Sequence, residues 1–204
     1  PKLLSILKKN KVKFSSDLNK IKEYGIVYFA YDVPTNKYLK SDFNFIKEKI
    51  NELIPHLAKD ADLIILSQVK PGFTRKIKWK KEHLYYQIET LIFGDAIKRA
   101  IKPERIIIGS YNNKLNSNFK RYLNEFTKKL LVINYESAEL GKLSINLFLS
   151  ASVSMTNTIA EVCEKTSSSW GEIKEILKTD RRIGKFAYLN PGLGLSGGNI
   201  ERDH

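Results

Sequence analysis

Of the 204 residues in this chain, few have a type and spacing that could carry chemistry unaided. The single cysteine, Cys163, would be a nucleophile only in an accessible, electropositive setting. It falls inside a long helical pattern, where a lone cysteine packs as a small hydrophobe. One cysteine also excludes a disulfide framework and a cysteine-ligated zinc site. His56, His83 and His204 lack metal-ligand spacing, so no metal is expected. Gly192-Leu193-Gly194-Leu195-Ser196-Gly197 matches G-x-G-x-x-G. That fingerprint binds dinucleotide when it follows a strand, opens a helix and precedes an acidic residue about 20 positions on. Here it follows a helical region and only seven residues come after Gly197. It reads instead as a loop that lets backbone approach a ligand closely. The adjacent Arg181 and Arg182 suit either a phosphate contact or a cap on the preceding helix.

The net charge of +13 is unevenly placed: residues 1–133 hold 27 Lys+Arg against 13 Asp+Glu, and residues 134–204 hold 8 against 9. A basic field over the first two-thirds attracts polyanions, whether nucleic acid or nucleotide phosphates, although lysines on polar helix faces also read as a solvated surface. Trp79, Tyr85 and Tyr86 near Lys76–Lys81 would suit a nucleic-acid-binding module. However, helix-turn-helix, RNP-strand and zinc-finger patterns are all missing, so no nucleic-acid partner is expected. With 42% hydrophobic and 28% charged residues, the chain reads as globular. It has no apolar run of 18 residues and no cleavable signal pattern, so the expectation is a cytoplasmic protein with no membrane partner.

The elements that must position any site alternate in type. Asp17–Glu23 reads as a short helix ended by Gly25, as does Lys2–Lys9. The β-branched and aromatic run Ile26–Tyr31 reads as a buried strand, followed by a loop over Asp32–Lys40. Ser41 or Asp42 can cap a helix with Phe45, Ile46, Ile50, Leu53, Ile54 and Leu57 at helical spacing. Asp62–Val69 is a second strand closed by Pro71-Gly72, Ile88–Ala100 reads as helical, and Arg105–Ser110 is a third strand. Phe119–Lys129 is amphipathic and Leu130–Asn134 is a short strand. Strands alternating with helices in this way predict βαβ units and a parallel sheet. From Glu136 to Lys165 a long helix is interrupted only by Gly141 and is apolar on most faces, which calls for a partner helix or subunit. Ser167–Ser169 can cap a further helix, Gly171–Lys178, and Asn190–His204 is a glycine-rich loop.

Several segments together resemble the UDP-glucose/GDP-mannose dehydrogenases. They are Asp32-Val33-Pro34-Thr35 after a strand, Ser67–Arg75, Pro103–Gly109, Glu136–Lys142 with Asn146, then Asn157, Asp180–Gly184 and Asn190-Pro191-Gly192. Each is weak alone; their shared order is the signal. The resemblance implies an α/β fold in which residues 1–134 are the remainder of a Rossmann-like parallel-sheet NAD domain. Residues 135–204 would be an all-α central dimerisation domain with one long helix. It also implies a slice lacking the glycine-turn unit that takes the NAD pyrophosphate, together with the third domain that completes the nucleotide-sugar site. Such a slice should bind NAD poorly on its own.

Members of this family oxidise a primary alcohol to a carboxylate by two hydride transfers to NAD, through a cysteine thioester. By resemblance Lys142 and Asn146 match the lysine and asparagine that stabilise oxyanions, and their spacing of four places them on one helix face. Asp203 matches the aspartate and Glu89 the first glutamate of its segment. Gln68, Pro34 and Thr35 fall at cofactor positions, and Arg182, Asn190 and Gly194 at substrate positions. The departures are large. The nucleophile's position is Asn199, whose amide is no nucleophile at neutral pH; the second glutamate falls on Phe93, and an expected threonine is Gln68. Tyr86–Leu91 and Gly197–Asp203 resemble a variant branch of the family that carries both replacements. Asn199 could still donate a hydrogen bond to a developing oxyanion. The expectation is hydride transfer on a nucleotide sugar, by a homodimer formed through the 136–165 helix, stopping after two electrons. The alternatives are a basic nucleic-acid-binding module and a catalytically inactive dimerisation partner.

Overall fold

The structure, a computed structural model, describes residues 12–36, 38, 40–89 and 94–192. The described residues form a five-stranded sheet in sequential order: β1 (Ile26–Phe29), β2 (Asp62–Ile65), β3 (Leu84–Ile88), β4 (Ile106–Ser110) and β5 (Leu130–Asn134). β1 pairs with β2 and β2 with β3 in parallel, β3 with β4 antiparallel, and β4 with β5 in parallel. Five helices accompany it among the described residues: α1 (Phe43–Leu53), α2 (Ala96–Ile101), α3 (Ser117–Leu123), α4 (Tyr135–Thr166) and α5 (Trp170–Thr179).

Two cores sandwich the sheet. On one face Ile46, Ile50 and Leu53 of α1 and Tyr135 and Ala138 of α4 pack on Phe29, Leu63, Ile65, Leu84, Tyr86 and Ile88. On the other, Phe119 and Leu123 of α3 cover Ile64, Tyr85, Ile106 and Ile108, with the Tyr85 and Phe119 rings stacked at 4.6 Å. β2 is buried at every position, as a strand covered on both faces must be.

Local chemistry sets the helix starts. Asp42, rather than Ser41, caps α1 by accepting from the Asn44 and Phe45 N–H groups. Asn134 ends β5 and caps α4 by accepting from Ser137 N–H at 2.7 Å, so the strand turns directly into the helix. α4 is 32 residues long, roughly 48 Å at the α-helical rise. It ends at Ser167, held in the left-handed region at φ 55°.

Three expectations are corrected. The helix read over Ile88–Ala100 is instead the strand Leu84–Ile88 followed, after Gly94, by the six-residue α2. The Leu-Tyr-Tyr-Gln-Ile run has strong strand chemistry, but it follows a lysine-rich segment that masks the alternation. The sheet is also not wholly parallel. β4 runs antiparallel to β3, with Ile88 facing Ile107 and Tyr86 facing Gly109. Finally, Asp17–Glu23 forms a 3-10 turn over Leu18–Glu23 rather than the short helix expected; the amphipathic Phe119–Lys129 segment overlaps α3, which ends at Leu123. The helix read over Lys2–Lys9 lies outside the described residues.

Candidate functional site

In a parallel sheet, ligands bind beyond the carboxyl ends of the strands, where loops converge. Here the carboxyl ends of β1, β2 and β3 lie side by side. After β1 the chain leads to Pro34 and Thr35, both exposed; Pro34 O accepts from Asp42 N–H at 2.8 Å and Thr35 bridges to Ser41. After β2 come Ser67 and Gln68. The buried Ser67 hydroxyl donates to Tyr31 O at 2.5 Å, tying the β2 loop to the β1 loop. β3 ends at Ile88, and Glu89 directly after it is exposed rather than the helix residue expected.

The first turns of α4 are clamped across the face of β3 and β4, and the helix runs from Leu84 toward this edge. Gly109 of β4 lets the helix in: a Cβ there would lie 2.8 Å from Ala138 Cβ and 3.1 Å from Tyr135 Cα. The Tyr135 hydroxyl donates to Leu84 O at 2.8 Å. Arg75 reaches Glu136 through two bonds, Nε at 2.5 Å and Nη2 at 2.8 Å, and its guanidinium lies 5.4 Å from the Tyr135 ring centre. That pairing holds the Glu136 carboxyl down at about 2. Glu139 is 1% exposed and accepts the Gly72 N–H at 2.5 Å and the Thr74 N–H at 2.7 Å. Burial pushes its carboxyl up, against the pull of those amides.

One turn further, Lys142 Nζ donates to the backbone oxygen of Glu89 at 2.5 Å. Lys142 and Asn146 are both half-buried. The structure therefore brings Lys142 and Glu89 into contact, with the Glu89 carbonyl rather than its carboxylate as the partner. Asn146 follows one turn along α4.

Arg182 and Asn190 sit elsewhere. Arg182 is exposed and chelates Asp180 through its backbone N–H, Nε and Nη2, and Asn190 accepts from Lys174 of α5 at 2.5 Å. Their segment is stapled to the far half of α4. Thr156 Oγ1 donates to Tyr188 O, and Asn157 exchanges two 3.0 Å bonds with the backbone of Gly192. Thr156 lies 14 residues beyond Lys142, about 21 Å along the helix. Gly194, Asn199 and Asp203 lie outside the described residues, as does Phe93.

Cys163 is buried, 5% exposed. Among the described residues no group of His, Cys, Asp and Glu could hold a metal ion, and no helix is long and apolar enough to cross a membrane.

Sequence reading gave no role to Glu139 or Gly109. The available signal was a carboxylate inside the inward stripe Tyr135, Ala138, Lys142, Ile145, where a charge needs a dedicated partner.

Adjoining parallel-strand loops beneath a long helix define a Rossmann-like nucleotide-binding α/β unit running into a helical second unit. Residues 1–127 match the NAD binding domain of the UDP-glucose/GDP-mannose dehydrogenase family, and residues 136–204 match its central domain. The chain belongs to this family, whose cofactor is NAD. It is 25% identical over 207 residues to a UDP-glucose 6-dehydrogenase of Rickettsia prowazekii, covering 97% of this chain and 48% of the relative. It is 26% identical over 217 residues to the UDP-glucose 6-dehydrogenase TuaD of Bacillus subtilis, covering 100% and 47%. A UDP-glucose dehydrogenase structure from Pyrobaculum islandicum superposes with a TM-score of 0.82 at 20% identity, over 97% of this chain and 48% of that one. That likeness concerns the fold. The chain spans about half the length of the curated relatives it matches.

Proposed function

We propose that this chain supplies the cofactor-side and central parts, residues 1–134 and 135–204, of a cytoplasmic NAD-dependent nucleotide-sugar dehydrogenase that oxidises a sugar hydroxyl. The observation that carries this reading is the Lys142–Glu89 contact at the carboxyl end of the sheet. It puts a cation on the second domain's helix against the edge where a dinucleotide lies. The loops bearing Pro34, Thr35 and Gln68 adjoin there and are tied by the Ser67–Tyr31 bond, so the residues present fit NAD. NAD, when bound, accepts the hydride. Lys142 stabilises the oxyanion that develops as the hydroxyl releases its proton to solvent water, and Asn146, one turn away on the same face, donates a further hydrogen bond. Asn199, Asp203, Arg182, Asn190 and Gly194 enter this proposal by family resemblance alone. With Asn199 where the family has its nucleophile, no thioester forms and oxidation ends at the carbonyl.

The same reading includes a homodimer through α4. Leu140, Leu147, Phe148, Met155 and Val162 are exposed on that helix, Phe148 at 79%, a row that a second apolar surface would cover. The deciding experiment incubates the full-length protein with NAD and a panel of nucleotide sugars and counts NADH per sugar consumed. One NADH per sugar with a carbonyl product is expected. Two NADH with a uronate product refute the two-electron chemistry, and no NADH with any sugar refutes the dehydrogenase reading in favour of an inactive partner.

A further inference from the structure

The carboxylate of Glu139 is not needed to dock α4. The helix is already seated by the close approach of Ala138 and Tyr135 to Gly109, by the Tyr135–Leu84 hydrogen bond and by the apolar contacts of Tyr135 and Ala138. Burying a carboxylate costs several kcal/mol unless its bonds repay it, and an apolar side chain would avoid that cost. What the carboxylate adds is geometry. Its two oxygens fix two N–H groups of one loop, and Gly72, at φ +82°, gives the loop the turn that presents them.

That loop begins at Ser67 and Gln68, and Ser67 continues the chain of contacts to Tyr31 after β1. On the helix side, Lys142 is three residues from Glu139 and Asn146 seven, on the same rigid rod. We propose that Glu139 is a positioning residue, setting the distance between the cofactor-side loop at Gly72–Thr74 and the α4 face that carries Lys142 and Asn146. The inference rests on the dehydrogenase reading above. In that reaction the cofactor is held by the sheet loops and the sugar oxygen by the helix, so the hydride's path depends on how the two are registered. A misplacement of 1 Å can cost about 10²-fold in rate.

The test uses the full-length protein and three variants. Glu139→Asp keeps the charge and retracts it by one methylene. Glu139→Gln keeps the length and replaces one acceptor with a donor. Gly72→Ala leaves the carboxylate intact and strains the loop at a position where a Cβ meets no neighbour, so it folds even where a Glu139 variant does not. The readouts are kcat, the KM for each substrate, the melting temperature, and the deuterium isotope effect with sugar labelled at the oxidised carbon. All three variants are expected to lose about 10²-fold in kcat, with KM for the sugar within about threefold of the parent. The isotope effect rises as hydride transfer becomes rate-limiting. Variants that melt lower yet keep kcat within about threefold assign Glu139 to packing and overturn the proposal. An active parent with unaffected variants sinks this inference alone. A parent that reduces no NAD with any nucleotide sugar sinks the dehydrogenase reading and this inference with it.

Discussion

Replacing Gly109 by alanine tests the seating of α4 most directly. The added Cβ would stand 2.8 Å from Ala138 Cβ, 3.1 Å from Tyr135 Cα and 3.4 Å from Asn134 O. None of these is the free end of a flexible side chain. Two belong to backbone, and Ala138 is 0% exposed. Either α4 lifts or β4 bends, and β4 is held on both sides, Gly109 pairing with Tyr86 of β3 and Ile133 of β5. Overpacking a filled core costs about 1–3 kcal/mol, offset by about 0.4–1 kcal/mol because alanine restricts the unfolded chain more than glycine does. The net expectation is a loss of about 1–2 kcal/mol, or roughly 2–8 °C in melting temperature for a domain of this size. Calorimetry of each single variant, Gly109→Ala and Ala138→Gly, and of the pair completes a cycle. The second change removes the 2.8 Å clash, so the pair should be less destabilised than the sum of the singles, even though glycine inside a helix costs about 0.5–1 kcal/mol. A single variant as stable as the parent, or strictly additive singles, would show that α4 does not rest on Gly109 as described.

The surface clamp behaves differently. Glu136→Gln breaks the bidentate pair with Arg75, and since both side chains are about 40% exposed, solvent screening limits the loss to about 0.2–1 kcal/mol. Its pH signature has a definite sign. The folded Glu136 carboxyl is depressed to about 2 from 4.5, so the stabilisation is present above pH 4.5 and is lost as pH falls toward 2. Acid titration of stability should show a shallower fall in the variant, and identical profiles would refute the pairing. At the amino end of β2, Asp62 is 3% exposed and accepts from Asn116 Nδ2 at 2.5 Å, with His83 Nδ1 at 2.8 Å. Asn116 in turn caps α3 by accepting from Phe119 N–H. Asp62→Ala should cost about 1.5–3 kcal/mol in urea unfolding and raise amide exchange in the first turn of α3. Unchanged exchange there would separate the cap from the Asp62 cluster.

How far the molecule could be read from its residues depended on whether the signal was local. Ile26–Phe29, Asp62–Ile65 and Leu130–Asn134 are compact β-branched or leucine-rich runs, and Phe43–Leu53 has helical apolar spacing behind an aspartate cap. Each of these elements carries its own evidence. The long helix was legible for the same reason, although many of its apolar residues turn out exposed rather than buried. β3 was not legible, because Leu84–Ile88 borders a lysine-rich stretch on one side and helix-favouring residues on the other. Its antiparallel pairing with β4 joins strands separated by residues 89–105, a relation that no window of sequence contains. The site divides along the same line. Lys142 and Asn146 announce themselves by a spacing of four on a helix, a purely local relation. Glu139 and Gly109 act on partners 65 and 29 residues away, Thr74 and Ala138. A buried carboxylate or a glycine under a closely approaching helix shows its purpose only once those partners are in place. The physical cue in the sequence is the mismatch itself: a charge on the inward stripe of a helix must find its counterpart across the fold, and here it finds two backbone amides of the loop that follows β2.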